Sequence, residues 1–141
     1  MGYKLGDRSR KRLEGVHPSL IKLIEYSLID SPYDFGIPQD GGLRTAIRQA
    51  ELYSKGRGGG GKIITYVDGF RKKSNHQEKS DGYGHAFDIY ALINGKASWD
   101  KRKLKSIATH IKKCAKELDM EIEWGGDWKS FQDMPHFQLR K

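Results

Sequence analysis

Between Ser74 and Asp88 the chain reads Ser-Asn-His-Gln-Glu-Lys-Ser-Asp-Gly-Tyr-Gly-His-Ala-Phe-Asp, a polar stretch that carries an imidazole at His76 and a carboxylate at Asp88. A neutral ring nitrogen and a carboxylate oxygen suit zinc or another borderline divalent ion, but two ligands do not make a site. A third candidate lies far downstream in Asp133-Met-Pro-His136, where His136 can coordinate while Asp133 stays free to act as a base. Three protein ligands and one open position are what catalytic zinc requires.

Two rivals are weighed against this set. His85 lies close to Asp88, but on a strand of period two the pair points to opposite faces, so His85 is expected to support the site or sit at the surface. Asp127, in the turn Gly125-Gly126-Asp127-Trp128, is a rival base, and an aspartate there serves equally well to stabilise the turn. His17 and His110 sit at a helix entry and on a basic helix, contexts that do not converge on carboxylates.

The pattern Ser-x-His, then Gly-x-Ala-x-Asp, then a late Asp-x-x-His resembles the zinc peptidases that cut peptidoglycan stem peptides. That family includes D-Ala-D-Ala carboxypeptidases and dipeptidases and the phage L-alanyl-D-glutamate endolysins. Gly42-Leu43-Arg44-Thr45 resembles its Gly-x-Arg-Thr segment, and Ser31-Pro-Tyr-Asp-Phe35 the entry to the first strand in phage members. The likeness runs from His17 to Leu139, with one departure: the loop from His76 to Gly84 is longer than the compact form. The resemblance implies one zinc ion on His76, Asp88 and His136, with Asp133 as general base. It also implies that Arg44 holds the carbonyl oxygen as charge develops on it. Ser74 is expected either to orient the His76 loop or to contact substrate.

A chain of 141 residues with 36% hydrophobic content suits one domain, residues 1–141, with 1–16 as a basic N-terminal arm holding one short helical turn. Lys plus Arg number 26 against 18 Asp plus Glu, a formal charge of +8 that favours an anionic partner or simply solubility. Cys114 is the single cysteine, so an internal disulfide is excluded, and a place in a helix core is expected. No apolar run has the length of a signal peptide or of a membrane span. The expectation is a monomer in the host cytoplasm until release, acting then on bacterial peptidoglycan.

Around the site, Pro18 opens a helix with Leu20, Leu23, Ile24 and Leu28 at helical spacing, and Tyr33 to Ile37 reads as a short strand. Thr45 caps a helix expected to bury Ile47, Ala50 and Tyr53 or Leu52 and to stop at Gly56. Gly56 to Lys62 superficially matches the phosphate-cradling Gly-x-x-x-x-Gly-Lys, but Ile63 replaces the Ser or Thr and a helix precedes it, so a flexible loop is the better reading. Lys62 to Val67 and Ala86 to Ile93 read as strands, the latter turning at Asn94-Gly95 into Lys96 to Trp99. Asp100 caps a long helix whose stripe runs Leu104, Ile107, Ala108, Ile111, Cys114, Ala115 and Leu118. Met120 to Trp124 and His136 to Arg140 close the chain as strands. This mixture predicts an α+β fold, a small antiparallel sheet backed by helices, with the zinc site on the open sheet face.

Within the family the alternative is a D-Ala-D-Ala carboxypeptidase. Outside it stands a metal-dependent nucleic-acid-binding or nucleic-acid-cleaving protein, suggested by the charge, Arg57 in the glycine-rich run and the basic helix. No nucleic-acid motif accompanies these, so no nucleic-acid partner is expected. A non-catalytic wall-binding module explains the charge and aromatics but not Arg44, Asp133 and three ligands together.

Overall fold

The computed structural model describes residues 2–55, 65, 68–70, 72–130 and 132–140. The glycine-rich run, the helix stop at Gly56 and, Thr65 apart, the strand expected from Lys62 to Val67 lie outside the described residues.

The N-terminal residues are not an arm. Helix α1 (Asp7–Arg12) lies in a segment whose Leu5, Ser9, Leu13 and Val16 are all buried, a helix-like spacing interrupted by one serine. The Ser9 hydroxyl accepts the Ile37 N–H at 2.9 Å, and the Tyr3 N–H donates to Leu28 O at 3.0 Å. Basic side chains fill the outer face, and the apolar ones join the core.

Helix α2 (Pro18–Leu28) starts as expected, with Pro18 in the first turn and His17 Nδ1 accepting the Ser19 N–H, and buries Leu20, Leu23, Ile24 and Leu28. It packs against α4 (Lys101–Glu117), whose first turn is capped by the Asp100 carboxylate accepting from the Arg102 and Lys103 N–H groups. The predicted stripe is buried from Leu104 to Ala115, with Cys114 inside it.

Among the described residues, six short strands form two three-stranded antiparallel sheets rather than one. In the first, β3 (Tyr90–Ile93) lies between β1 (Asp34–Gly36) and β4 (Lys96–Ser98), and Asn94 and Gly95 turn the hairpin with φ of 54° and 78°. In the second, β6 (His136–Leu139) lies between β2 (Ala86–Asp88) and β5 (Ile122–Trp124). The stretch expected as one strand, Ala86 to Ile93, passes from one sheet to the other at Ile89, whose N–H donates to Pro135 O at 3.0 Å. The α+β class holds: helix α4 packs against β3 and β5, and α2 packs against α4.

Helix α3 (Ala46–Ser54) is capped by Thr45 Oγ1, which accepts the Arg48 N–H at 3.0 Å. Of its expected buried face Leu52 is buried and Ala50 and Tyr53 are partly so, but Ile47 is 71% exposed and Gln49 is fully buried in its place. Among the described residues no helix is long and apolar enough to cross a membrane.

Candidate metal centre

The pairing of β2 with β6 sets Asp88 opposite His136 and Phe87 opposite Phe137. Because side chains alternate along a strand, this register sends Phe87 and Phe137 together into the core, where their rings stack at 5.1 Å, and leaves Asp88 and His136 side by side on the other face. Burying each phenylalanine contributes about 1.5–3 kcal/mol, and a one-residue slip would exchange core and site.

His76 arrives from a turn. The Ser74 hydroxyl accepts the His76 N–H at 3.1 Å, the Ser74 carbonyl accepts the Gln77 N–H at 3.0 Å, and buried Gln77 reaches back to the Ser74 N–H at 2.8 Å. The His76 carbonyl accepts the Arg44 N–H at 2.8 Å, so Gly42 to Arg44 is laid directly against this turn. Gly42 cannot carry a side chain, since a Cβ there would overlap the Arg12 carbonyl. Its own carbonyl accepts from His76 Nδ1 at 2.9 Å.

Three donor atoms then converge: His76 Nε2 to His136 Nδ1 is 3.2 Å, His76 Nε2 to Asp88 Oδ1 is 3.2 Å, and His136 Nδ1 to Asp88 Oδ1 is 3.1 Å. Tetrahedral zinc with bonds near 2.0–2.1 Å has ligand-to-ligand edges of about 3.3 Å, so the triangle matches one face of such a site. The other nitrogen of each ring is already occupied: His76 Nδ1 donates to Gly42 O and His136 Nε2 donates to Gln138 Oε1 at 2.8 Å. The facing nitrogens therefore carry lone pairs aimed at a carboxylate oxygen, a convergence that a shared proton or a cation must relieve. Residue types, triangle and tautomers all fit a divalent ion.

A second group, Asp30, His110 and Cys114, also lies within reach of one ion. There a single nitrogen, His110 Nε2, makes every contact, at 2.9 Å to Ser27 O, 3.2 Å to Asp30 Oδ1 and 3.4 Å to Cys114 Sγ. A carbonyl can only accept, so that nitrogen carries its hydrogen and serves as a cap for the end of α2 rather than as a bare ligand.

Electrostatics separates the roles. Burial keeps the His76 imidazole neutral by pushing its pKa down. Burial acts the same way on His136, but its contact with Asp88 outweighs this and raises the pKa. Burial opposes ionisation of Asp88, yet the two imidazoles hold its carboxyl far below the usual carboxylate range. Asp133 goes the other way: burial first, then the charge of Asp88, push its pKa up against weaker pulls from His136 and Arg44. It is half-buried, and its N–H is held by Gly125 O at 3.0 Å. A four-residue turn closed by the His136 N–H on Asp133 O, 3.1 Å, carries it to the ligand strand.

Arg44 spreads its guanidinium over three acceptors: Nε to Asp40 O at 2.8 Å, Nη1 to Gln49 Oε1 at 3.1 Å and Nη2 to Asp88 Oδ2 at 3.4 Å. Burial lowers its pKa and the carboxylates of Asp88 and Asp40 counter this; the group remains a cation. Arg44, Ser74, Asp133 and the three converging residues all line one cavity of about 450 Å³, with Lys72 and Lys73 at the same opening. A larger cleft of about 740 Å³ between α4 and β5 holds none of the three donors, and the Trp128 ring borders both spaces.

The rivals stand apart. His85 Nε2 pairs with Asp81 Oδ2 at 2.7 Å, and exposed Asp127 with Lys112 Nζ at 2.9 Å. Not singled out from the sequence are Gln138, whose Oε1 meets His136 Nε2, Asn75, which donates to the same Gln138 oxygen, and Trp128, whose ring lies 5.3 Å from that of His136. Strand periodicity alone places Gln138 on the face of His136, and that was the available signal.

Residues 1–139 match the family described as phage L-alanyl-D-glutamate peptidase. The chain is 32% identical over 142 residues to the L-alanyl-D-glutamate peptidase of Escherichia phage T5, spanning 100% of this chain and 92% of that protein. It is 37% identical over 105 residues to the peptidoglycan L-alanyl-D-glutamate endopeptidase CwlK of Bacillus subtilis, spanning 70% of this chain and 57% of that protein. The crystal structure of the L-Ala D-Glu endopeptidase ChiX of Serratia marcescens matches with a TM-score of 0.78 at 32% identity, covering 99% of this chain and 91% of that one.

Proposed function

Since the chain belongs to the phage L-alanyl-D-glutamate peptidase family, we propose that it is a zinc-dependent endopeptidase that hydrolyses the L-alanyl-D-glutamate amide in peptidoglycan stem peptides. Family membership makes it a peptidase, and the three bare donors in a 3.1–3.2 Å triangle are the observation that carries the metal dependence. His76, Asp88 and His136 hold one ion. A zinc ion there supplies Lewis acidity toward the scissile carbonyl and makes water acidic enough to attack near neutral pH.

The remaining steps belong to side chains. Asp133 takes the proton of the attacking water and passes it to the departing amine. Its raised pKa suits the first half of that task, because a carboxylate whose pKa lies nearer the working pH is the stronger base. Arg44 holds positive charge beside Asp88 at the cavity wall, ready for the carbonyl oxygen as it becomes an oxyanion, and Gln49 and Asp40 O keep the guanidinium from swinging away. Ser74 positions the His76 turn through its accepted N–H, and its hydroxyl still has a proton to offer a substrate carbonyl. Lys72 and Lys73 give the cavity a cationic side that complements stem-peptide carboxylates.

The names of the relatives favour the endopeptidase over the D-Ala-D-Ala carboxypeptidase. In this reading the protein works as a monomer on the bacterial wall after release from the host cytoplasm. Incubating it with purified peptidoglycan and with DNA, each with and without a chelator, tests the proposal. Chelator-sensitive appearance of new amino groups from the wall alone is expected; cleavage of DNA, or wall cleavage indifferent to the chelator, contradicts it.

A further inference from the structure

His136 faces the metal position with Nδ1, an arrangement that holds only while Nε2 keeps its hydrogen. One side chain sees to that. Gln138 lies two residues along β6 on the same face and accepts from His136 Nε2 at 2.8 Å. The same Oε1 accepts from Asn75 Nδ2 at 2.9 Å. Asn75 is the residue before His76, and its carbonyl accepts the His85 N–H at 2.7 Å, so its backbone is tied to the entry of β2.

A single amide oxygen therefore receives one donor from each of the two segments that carry the histidine ligands, using both of its lone pairs. The roles are mutually consistent. With Gln138 presenting its oxygen, His136 Nε2 must donate and Asn75 must offer its NH2.

Resting on the metal reading above, we propose that Asn75 and Gln138 form a clamp that fixes the tautomer and ring orientation of His136 and locks the His76 turn to β6. Both are positioning residues. Without Gln138 the Nε2 hydrogen has no acceptor, the ring is free to rotate or to move its proton, and the ligand triangle loses one corner. Partners of this kind are worth about 10–100-fold in metal affinity. Asn75 acts one step further away, so its loss is expected to cost less.

The test is the zinc dissociation constant, measured by competition with a chromophoric chelator, for wild type, Q138L, Q138E, N75A and the double variant Q138L/N75A. Melting of each metal-free protein reports on the fold. Q138L is expected to bind zinc about 10–100-fold more weakly with the fold kept. Q138E, which retains an oxygen acceptor in the same place, is expected to stay within a few-fold of wild type. N75A is expected to weaken binding by a smaller factor, and the double variant to be no weaker than Q138L, because both contacts end on the same oxygen. Zinc held as tightly by Q138L as by wild type overturns the clamp, as does Q138E being as weak as Q138L. Should Q138L fail to fold, N75A decides in its place, and wild-type affinity in N75A overturns the proposal. Wild-type protein that takes up no zinc overturns the metal reading, and the clamp with it.

Discussion

Replacing Asp133 by Asn keeps the shape of the side chain while removing its ability to take a proton, so it separates chemistry from metal holding. Asp133 is not part of the donor triangle, and D133N is expected to retain one zinc ion per chain. General-base assistance is worth ~10² to 10⁴-fold, or about 2.7–5.4 kcal/mol at 1.36 kcal/mol per tenfold, and turnover is expected to fall by that amount. The same substitution has an opposite effect on stability. Burial and the neighbouring Asp88 charge raise the folded-state pKa of Asp133, so folding favours its protonated form. Its contribution to stability is thus fully present below the unfolded pKa and is lost as pH rises through the folded one. Metal-free D133N is therefore expected to melt at or above the wild-type temperature at neutral pH, with the difference closing on acidification. In the zinc-loaded wild type, the acidic limb of the pH–rate profile reports this carboxyl, and it should disappear or shift in D133N. The assay is release of amino groups from purified wall, with metal analysis and thermal melts on the same preparations. D127N, which loses only an exposed pair with Lys112 worth about 0.2–1 kcal/mol, is the control. Near-wild-type turnover in zinc-loaded D133N refutes the role of Asp133, and loss of zinc from D133N shows it to be a ligand instead. If D127N or a Glu123 variant abolishes turnover with zinc bound, the base lies in the turn around Trp124 to Trp128.

Alanine at His76, Asp88 or His136 is expected to empty the site of zinc and abolish activity, whereas H85A keeps its metal; elemental analysis reads both, and zinc loss from H85A would reverse the assignment. R44K preserves the charge but not the three-way fork to Asp40 O, Gln49 and Asp88, and is expected to lower turnover by about 10²–10³ with zinc retained. Unchanged kinetics in R44K would reduce Arg44 to a structural ion pair. G42A forces a Cβ into the Arg12 carbonyl and displaces the acceptor of His76 Nδ1, so zinc affinity is expected to drop by about 10–100-fold; equal affinity in a chelator titration refutes that dependence.

The convergence of His76, Asp88 and His136 was legible from their residue types together with the family resemblance, and strand parity set Asp88 apart from His85. What escaped had physical causes. Phe87, Ile89 and Ala91 are buried while Asp88, Tyr90 and Leu92 between them are only partly so, so the alternation runs unbroken through Ile89 and the change of sheet there left no local trace. In α3 the apolar-inward rule chose Ile47, but the buried position belongs to Gln49, whose amide oxygen holds Arg44. A polar residue buried for the site's sake defeats hydrophobic periodicity. Ser9 did the same at the N-terminus, where its hydroxyl serves the Ile37 N–H and breaks a stripe from Leu5 to Val16 that would otherwise read as core.

A zinc site built on His76, Asp88 and His136 is expected to cut the amide between L-alanine and D-glutamate. Mass spectrometry of the fragments released from defined peptidoglycan by the zinc-loaded protein measures this directly. The expected result is stem peptides with a new N-terminal D-glutamate and glycan strands that keep only L-alanine, both absent when the metal is removed and restored when zinc is returned. Loss of terminal D-alanine alone, or the same D-glutamate fragments from the metal-free protein, would contradict it.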